Sequence, residues 1–381
     1  MSSSKIRPKS HSTRPNSRGS THSEEAASRD PPAYWDFTCN DIIHINYEQE
    51  ISKISTSLRS YEEDYSSRCK AQGITSCPMI RCREKDLQRA LYLYHAKIDL
   101  ANWQVMIMSV ISCTISSIFF YGLEISRKHV SDLVLGLSKT EQVKQLCLEY
   151  LTIKDDESCE CLATIFGCEV QFISLRGCRI SDLIVEAASS RIMGNTVVEV
   201  INLSNNSITD EGALSLFDSL RLSPSMKFIS LRNNRISGTC LQSLLAVIIG
   251  SEVTHSVTSQ MKAINTAITS RNKKIKELIK KAVKEGKTFD VEEIPPLDSR
   301  IFKVGNDAMI ANRTIREVDL SRNPLSADIV SDAYNSALMS PAFNIIQESL
   351  NCVVRVTGLD VDGASSSLTS KNTHMGLRFE T

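Results

Sequence analysis

Residues 198–208 read VEVINLSNNSI, and residues 226–236 read MKFISLRNNRI. Both place apolar side chains at the first, fourth, sixth and eleventh positions and asparagine at the ninth. The pattern returns as VQFISLRGCRI at 170–180 and VKQLCLEYLTI at 143–153, so the four copies start 27, 28 and 28 residues apart. Carried backwards, the phase finds ISSIFFYGLEI at 115–125 and, more weakly, QRALYLYHAKI at 88–98. Carried forwards, it finds IREVDLSRNPL at 315–325 and a degraded copy, FNIIQESLNCV, at 343–353. A fixed period of this size marks a chain made of one supersecondary unit stacked on copies of itself.

Each copy divides into a strand and a helix. Ile201 and Leu203 alternate with polar neighbours, as on a short strand that points one side inward. Asn206 and Asn234, at the ninth position, fit a bend whose backbone groups need side-chain partners. Cys178 takes that place in one copy, whereas Leu123 and Leu151 depart from it. After the strands come SDLIVEAASSRIMG at 181–194, TDEGALSLFDSLRL at 209–222 and SGTCLQSLLAVIIG at 237–250. Thr209 and Asp210 form a helix start signal, and Ala213, Leu216, Phe217 and Leu220 fall on one helical face. The pattern fits the leucine-rich-repeat template LxxLxLxxNxL and predicts an α/β fold: a solenoid with parallel strands inside and helices outside.

The motifs LSNNSITDEGA and LRNNRISG resemble the ribonuclease-inhibitor-like class of leucine-rich repeats, which implies a horseshoe over residues 88–353. A narrower similarity is to the leucine-rich repeat-containing protein seventy-one family. It rests on the order of DSLRL at 218–222, MKFISLRNNRIS, SEVTHSVTSQ at 251–260, a charged insertion and ANRTIREVDLSRNPLS at 311–326, with Tyr34, Trp35, Asp36 and Phe37 upstream. The insertion here is shorter than that family's. The resemblance implies a non-catalytic protein of a cilium or flagellum, with axonemal or tubulin-related partners.

The step from Met226 to Ile315 is 89 residues, which leaves an insertion of roughly 60 beyond one period. Residues 262–287 hold nine basic residues against Glu277 and Glu285, a local charge of +7. Ile264, Ile268, Ile275, Leu278, Ile279, Ala282 and Val283 recur at helical spacing, so one amphipathic helix is expected, its basic face carrying Lys273, Lys274, Lys276, Lys280, Lys281 and Lys284. Such a face suits an acidic protein surface such as tubulin, an anionic membrane or nucleic acid; equally, the apolar stripe could lie back on the repeats while the lysines are solvated. The scarcity of aromatics among the lysines argues against nucleic acid. Deleting 262–287 is expected to leave the repeats folded and to weaken partner binding.

The 381 residues carry 44 basic and 44 acidic side chains, which excludes a globally basic nucleic-acid binder. The neutrality sums opposed blocks, since nine serines and six basic residues fill 1–33 with no acid before Glu24. The organisation expected is a disordered tail at 1–33, a mostly helical cap at 34–87, repeats at 88–250, a charged helical insertion at 251–312, returning repeats at 313–356 and a flexible tail at 357–381. The first twenty residues contain no apolar run of the secretory kind, so the twelve cysteines are expected reduced in the cytoplasm. Residues 105–123 form 19 uncharged positions, long enough to span a bilayer, but the repeat phase cuts them into a helix end and a strand, so no membrane span is expected.

No catalytic motif is present: neither GxxxxGK, GxSxG nor HExxH occurs, and Cys147 has no histidine beside it in the phase. The pairs Cys77/Cys82 and Cys159/Cys161 lack the CxxC spacing of a zinc knuckle, so neither a metal nor a cofactor is expected. Strand positions between the inward residues should face the concave surface. They include Tyr92, Tyr94, Phe119, Tyr121, Cys147, Glu149, Phe172, Ser174, Arg176, Asn202, Phe228, Ser230, Arg232 and Asp319. Tyr94, Phe119, Tyr121, Phe172, Arg176, Asn202, Phe228, Arg232 and Asp319 are the candidate protein-binding residues, because aromatic and arginine side chains dominate interface hot spots. Alternatively a cap or the inserted helix covers rings such as Tyr92 and Phe119. The expected function is a protein-interaction scaffold. The alternative is a regulator of a partner enzyme, of the inhibitor or GTPase-activating type; the few acids on the face, Glu149, Glu317 and Asp319, speak against it.

Overall fold

The computed structural model describes residues 60–85, 88–153, 156–286, 291–356 and 377–380; the tail at 1–33 and the aromatic segment at 34–37 lie outside them. The chain enters through α1 (Tyr61–Ala71), begun by a reciprocal capping box in which Ser60 Oγ accepts from the Glu63 N–H at 3.2 Å and Glu63 returns the bond to the Ser60 N–H at 3.3 Å. β1 (Arg81–Lys85) then pairs antiparallel with β2 (Gln88–Tyr94), the first strand of the repeat phase. Of the segment expected as a cap at 34–87, the described part holds this helix and this edge strand; residues 34–59 lie outside the described residues.

The repeats follow in order. α2 (Leu100–Ser112) leads to β3 (Ser117–Tyr121), β4 (Glu124–Ile125) and α3 (Arg127–Leu137); β5 (Gln145–Glu149) and β6 (Thr152–Ile153) precede a 3-10 segment, Asp156–Gly167. Next come β7 (Phe172–Ser174), α4 (Asp182–Gly194), β8 (Val200–Asn202), α5 (Asp210–Leu222), β9 (Phe228–Ser230) and α6 (Leu241–Ile249). The apolar run at 105–123 is thus divided between α2 and β3, and no helix among the described residues is long and apolar enough to cross a membrane.

The insertion is more than a helix. β10 (Ser251–Glu252) is followed by α7 (His255–Lys284), then by β11 (Ile301–Val304) and β12 (Asp307–Ile310), and the three strands form their own antiparallel sheet. The sequence does not announce the hairpin, because IFKV and DAMI carry no repeat phase and only a weak alternation. The chain then returns as β13 (Glu317–Asp319), α8 (Ala327–Leu338), α9 (Pro341–Ile346), β14 (Cys352–Arg355) and β15 (Leu377–Glu380).

The main sheet has ten strands, in the order β1-β2-β3-β5-β7-β8-β9-β13-β14-β15. Every pairing after β1–β2 is parallel, and the fourth positions align: Leu91, Ile118, Leu146, Ile173, Ile201, Ile229, Val318 and Val354. β13 pairs directly with β9, so the insertion leaves the sheet continuous. The sheet's fourth- and sixth-position residues share one buried core with the helices, whereas Phe119, Phe172 and Val200 form a separate cluster on the other face. This mixed arrangement of parallel strands and helices fits a leucine-rich-repeat-type fold.

One register differs from expectation. The copy read at 343–353 is not a strand there: Phe343 and Ile346 lie in α9, and the strand is Cys352–Arg355. First and fourth template positions share the i, i+3 spacing of a helix face, so a buried helical pair imitates the start of a copy. The strand Leu377–Glu380 also stands where a flexible tail is expected, parallel to β14.

The asparagine ladder ties the copies together. Asn206 Nδ2 donates to the Leu175 and Leu203 carbonyls at 3.0 and 2.8 Å, and its Oδ1 accepts from the Ile180 N–H at 3.0 Å. Asn323 repeats the arrangement against Leu231 and Leu320. Cys178 keeps weaker versions of these contacts, Sγ to the Leu148 carbonyl at 3.0 Å and to the Arg176 carbonyl at 3.5 Å. Where Leu123 and Leu151 replace the asparagine, the bend is closed by main chain instead, through the parallel β4–β6 pair.

Two carboxylates clamp neighbouring helix starts. Asp182 accepts from the Thr209 N–H and Oγ1 at 2.8 and 2.7 Å. Asp210 accepts from the N–H groups of Ser237, Gly238 and Cys240 at 2.8, 3.0 and 3.1 Å. Burial alone would raise the Asp210 carboxyl, but the bonds from Ser237 and Cys240 outweigh it and hold its pKa at about 2. A depressed folded-state value gives stability that is present above the unfolded pKa and lost as pH falls from about 4 towards 2. Asp210→Asn should therefore flatten acid destabilisation in that window, by about 1 kcal/mol after allowance for solvent screening. Urea midpoints of both proteins at pH 5 and pH 2.5 check this; parallel losses would refute it.

Candidate protein-interaction edge

The eighth position of each repeat sits where a strand ends and the chain turns. His95, Gly122, Tyr150, Gly177, Asn205, Asn233 and Arg322 occupy it, and each has a positive φ between 44° and 64°. Glycine and asparagine adopt this left-handed conformation readily; histidine, tyrosine and arginine there are uncommon and draw attention to the edge they line.

The first three repeats bring an aromatic row to that edge. Tyr92 stacks on Phe119 at 5.0 Å between centroids and on Tyr94 at 6.0 Å. Tyr121 then meets Tyr94 at 6.4 Å, the His95 ring edge-on at 5.1 Å and Tyr150 at 5.1 Å. The Arg176 guanidinium lies 5.6 Å from the centre of the Tyr150 ring, a cation–π geometry. With its amide oxygen turned to the two donors, Asn205 accepts from Tyr150 Oη at 2.8 Å and Arg176 Nε at 3.0 Å. Glycine makes the row possible: a Cβ on Gly177 would stand 2.6 Å from the Tyr150 ring. A large ring at the eighth position of one repeat therefore needs glycine at the next.

The predicted residues divide by exposure. Tyr94, Tyr121, Arg176, Phe228 and Arg232 are half-buried on the sheet face or its edge. Phe119, Phe172, Asn202 and Asp319 are buried. Phe119 and Phe172 pack with Ala90, Cys147 and Val200 into an apolar band along the sheet. Asn202 and Asp319 spend acceptors on their own turns, from the Ser204 N–H at 3.0 Å and the Ser321 N–H at 2.9 Å. Tyr150, His95 and Asn205 also belong to the edge; they stand at the eighth position, one past the last alternating face position of the strand. An aromatic or asparagine directly after the alternating strand was the available signal.

The six lysines named on α7 are exposed, and Lys276 pairs with Glu293 at 3.1 Å. The start of the helix is anchored: Val257, Met261, Ile264 and Ile268 cluster with Leu222, Leu297 and Ile310. Between α7 and the ends of the repeats lies a cleft of about 540 Å³, lined by Lys144, Arg191, Arg271 and Lys274 together with Glu141 and Glu169. Among the described residues no group of three or more His, Cys, Asp and Glu side chains could hold a metal ion. Burial pushes the thiols of Cys168 and Cys352 up to about 12, far from a reactive thiolate.

The family profile described as Leucine Rich repeat matches residues 194–217 and 311–331. The chain carries leucine-rich repeats. The two matches fall on either side of the insertion and take in β8 with the first part of α5 and β13 with the start of α8. The search of curated proteins found no match. Among solved structures, one titled Leiomodin-1 Actin-Binding Site 2 (ABS2) is similar at 13% identity, covering 48% of this chain and 97% of that chain, with a TM-score of 0.27.

Proposed function

We propose that this protein is a leucine-rich-repeat scaffold that binds a protein partner along the edge where its first repeat strands end, on a horseshoe with the strands inside. The aromatic and arginine row through Tyr121, Tyr150 and Arg176 carries the reading. Tyrosine and arginine supply large contact area with a polar tip, and they dominate interface energetics. The rings are held by stacking and by Asn205, so little side-chain entropy is lost when a partner docks.

The enzyme-regulator alternative is the weaker reading. It wants a dense acidic face, but here Glu149 accepts from Ser174 Oγ at 2.8 Å and Glu317 pairs with Arg355 at 2.7 Å. A cilium or flagellum, the site implied by the narrower resemblance, is part of the proposal; a tagged chain spread evenly through the cytosol of flagellated cells would remove it. The edge itself is tested by Tyr121→Ala with Tyr150→Ala. Quantified co-purification from the source cells should lose the wild-type partner by about ten-fold or more, with the unfolding midpoint little changed. Undiminished recovery would count against the edge.

A further inference from the structure

The outer face of α7 has a chemistry of its own. The buried stripe, Val257, Met261, Ile264, Ile268, Ile275 and Ala282, follows the three- and four-residue spacing of one helical face. On the opposite side stand Lys262, Lys273, Lys280 and Lys284, flanked by Lys274 and Lys281, all exposed. Glu277 is the one acid among them. From Lys273 to Lys284 the ridge is about 17 Å long at 1.5 Å per residue. Lys276, on its margin, is the lysine of α7 that an ion pair engages among the described residues.

The same helix already holds an acidic peptide of its own chain. Asn272 grips the Ile294 backbone from both sides, accepting its N–H at 3.1 Å and donating to its carbonyl at 2.7 Å. Asn265 accepts the Leu297 N–H at 2.7 Å and donates to the Asp298 carboxylate at 2.6 Å. Arg271 donates to the Glu292 carbonyl at 3.3 Å, and Lys276 meets the Glu293 carboxylate. One flank of α7 thus carries a segment with Glu292 and Glu293 that runs into a 3-10 turn with Asp298, while the ridge beyond it makes no ion pair among the described residues and carries Glu277 as its one acid.

We propose that this lysine ridge docks an acidic polypeptide segment of a partner protein, at a surface separate from the aromatic edge. A bilayer would need an apolar face to insert, and most of that face is spent on the protein itself; of the large apolar residues on the distal half, Leu278 and Val283 are the exposed ones. A nucleic acid would favour stacking rings and guanidinium forks. α7 has no aromatic residue, and its single arginine, Arg271, is turned to the Glu292 carbonyl. Flexible, strongly hydrated lysines spaced along a helix suit dispersed carboxylates.

The test uses the full chain with fluorescein-labelled polyglutamate, followed by anisotropy at low and at physiological salt. The wild type should bind and weaken as salt rises, because the contact is between exposed charges. The triple variant Lys273→Glu, Lys280→Glu and Lys284→Glu should bind at least about ten-fold more weakly, and the corresponding triple Gln variant should fall between the two. Should charge reversal unfold the chain, the Gln variant supplies the comparison. No binding by the wild type, binding that the variants leave unchanged, or tighter binding to duplex DNA or phosphatidylserine vesicles than to polyglutamate would overturn the proposal.

Discussion

Asn234→Ala should destabilise the protein by about 3 kcal/mol, which is large for one polar side chain. Asn234 is buried, and its Nδ2 donates to the Leu203 carbonyl at 3.0 Å and the Leu231 carbonyl at 2.8 Å, while Oδ1 accepts from the Ile208 N–H at 3.1 Å. Alanine leaves two carbonyls and one N–H without that partner, each costing about 1–3 kcal/mol where water cannot enter, with relaxation recovering part. Cys178, at the same template position, reaches the Leu148 carbonyl at 3.0 Å and the Arg176 carbonyl at 3.5 Å through a weak donor. Cys178→Ala should therefore cost only about 1 kcal/mol. Urea unfolding of the two variants checks the difference. Equal shifts would mean that the ladder is not what joins the repeats.

The second large effect lies in the insertion. Ile264 sits in the cluster with Leu222, Leu297 and Ile310, near the start of α7. Ile264→Ala should cost about 3 kcal/mol through lost burial and the cavity left behind. Lys280→Ala, on the exposed ridge, should stay within about 0.5 kcal/mol. The same packing alters the expectation for removing 262–287. Deletion would strip the cover from Leu222, Leu297 and Ile310 and release the Leu297 backbone from Asn265, so the repeats should lose stability as well as the ridge. If Ile264→Ala melts with the wild type, α7 is an appendage and the deletion leaves the fold intact.

The repeats were legible because their chemistry is periodic. Apolar residues at four template positions and an asparagine at the ninth recur for a geometric reason, and β13 returns to phase beside β9 after the whole insertion. The copy misplaced at 343–353 shows the limit, since two buried residues on α9 share the spacing of a strand's opening positions. The lysine face of α7 could be read from charge and spacing. Which of its isoleucines join a core could not, because Ile264 and Ile279 look alike until the neighbours Leu222 and Ile310 are in place. The candidate edge was half legible: Tyr94, Tyr121 and Arg176 follow from alternation. Tyr150 lies past the strand, and its ring reaches the edge only because Gly177 leaves room for it.

The edge as a partner-binding surface is tested most directly by site-specific photo-crosslinking in the source cells. Benzoylphenylalanine replaces Tyr121 or Tyr150, and in a control it replaces Leu183, which is exposed on α4. The predicted result is a covalent adduct with one partner protein from positions 121 and 150 and none from 183. Adducts from 183 alone, or the same adducts from all three positions, would contradict the account.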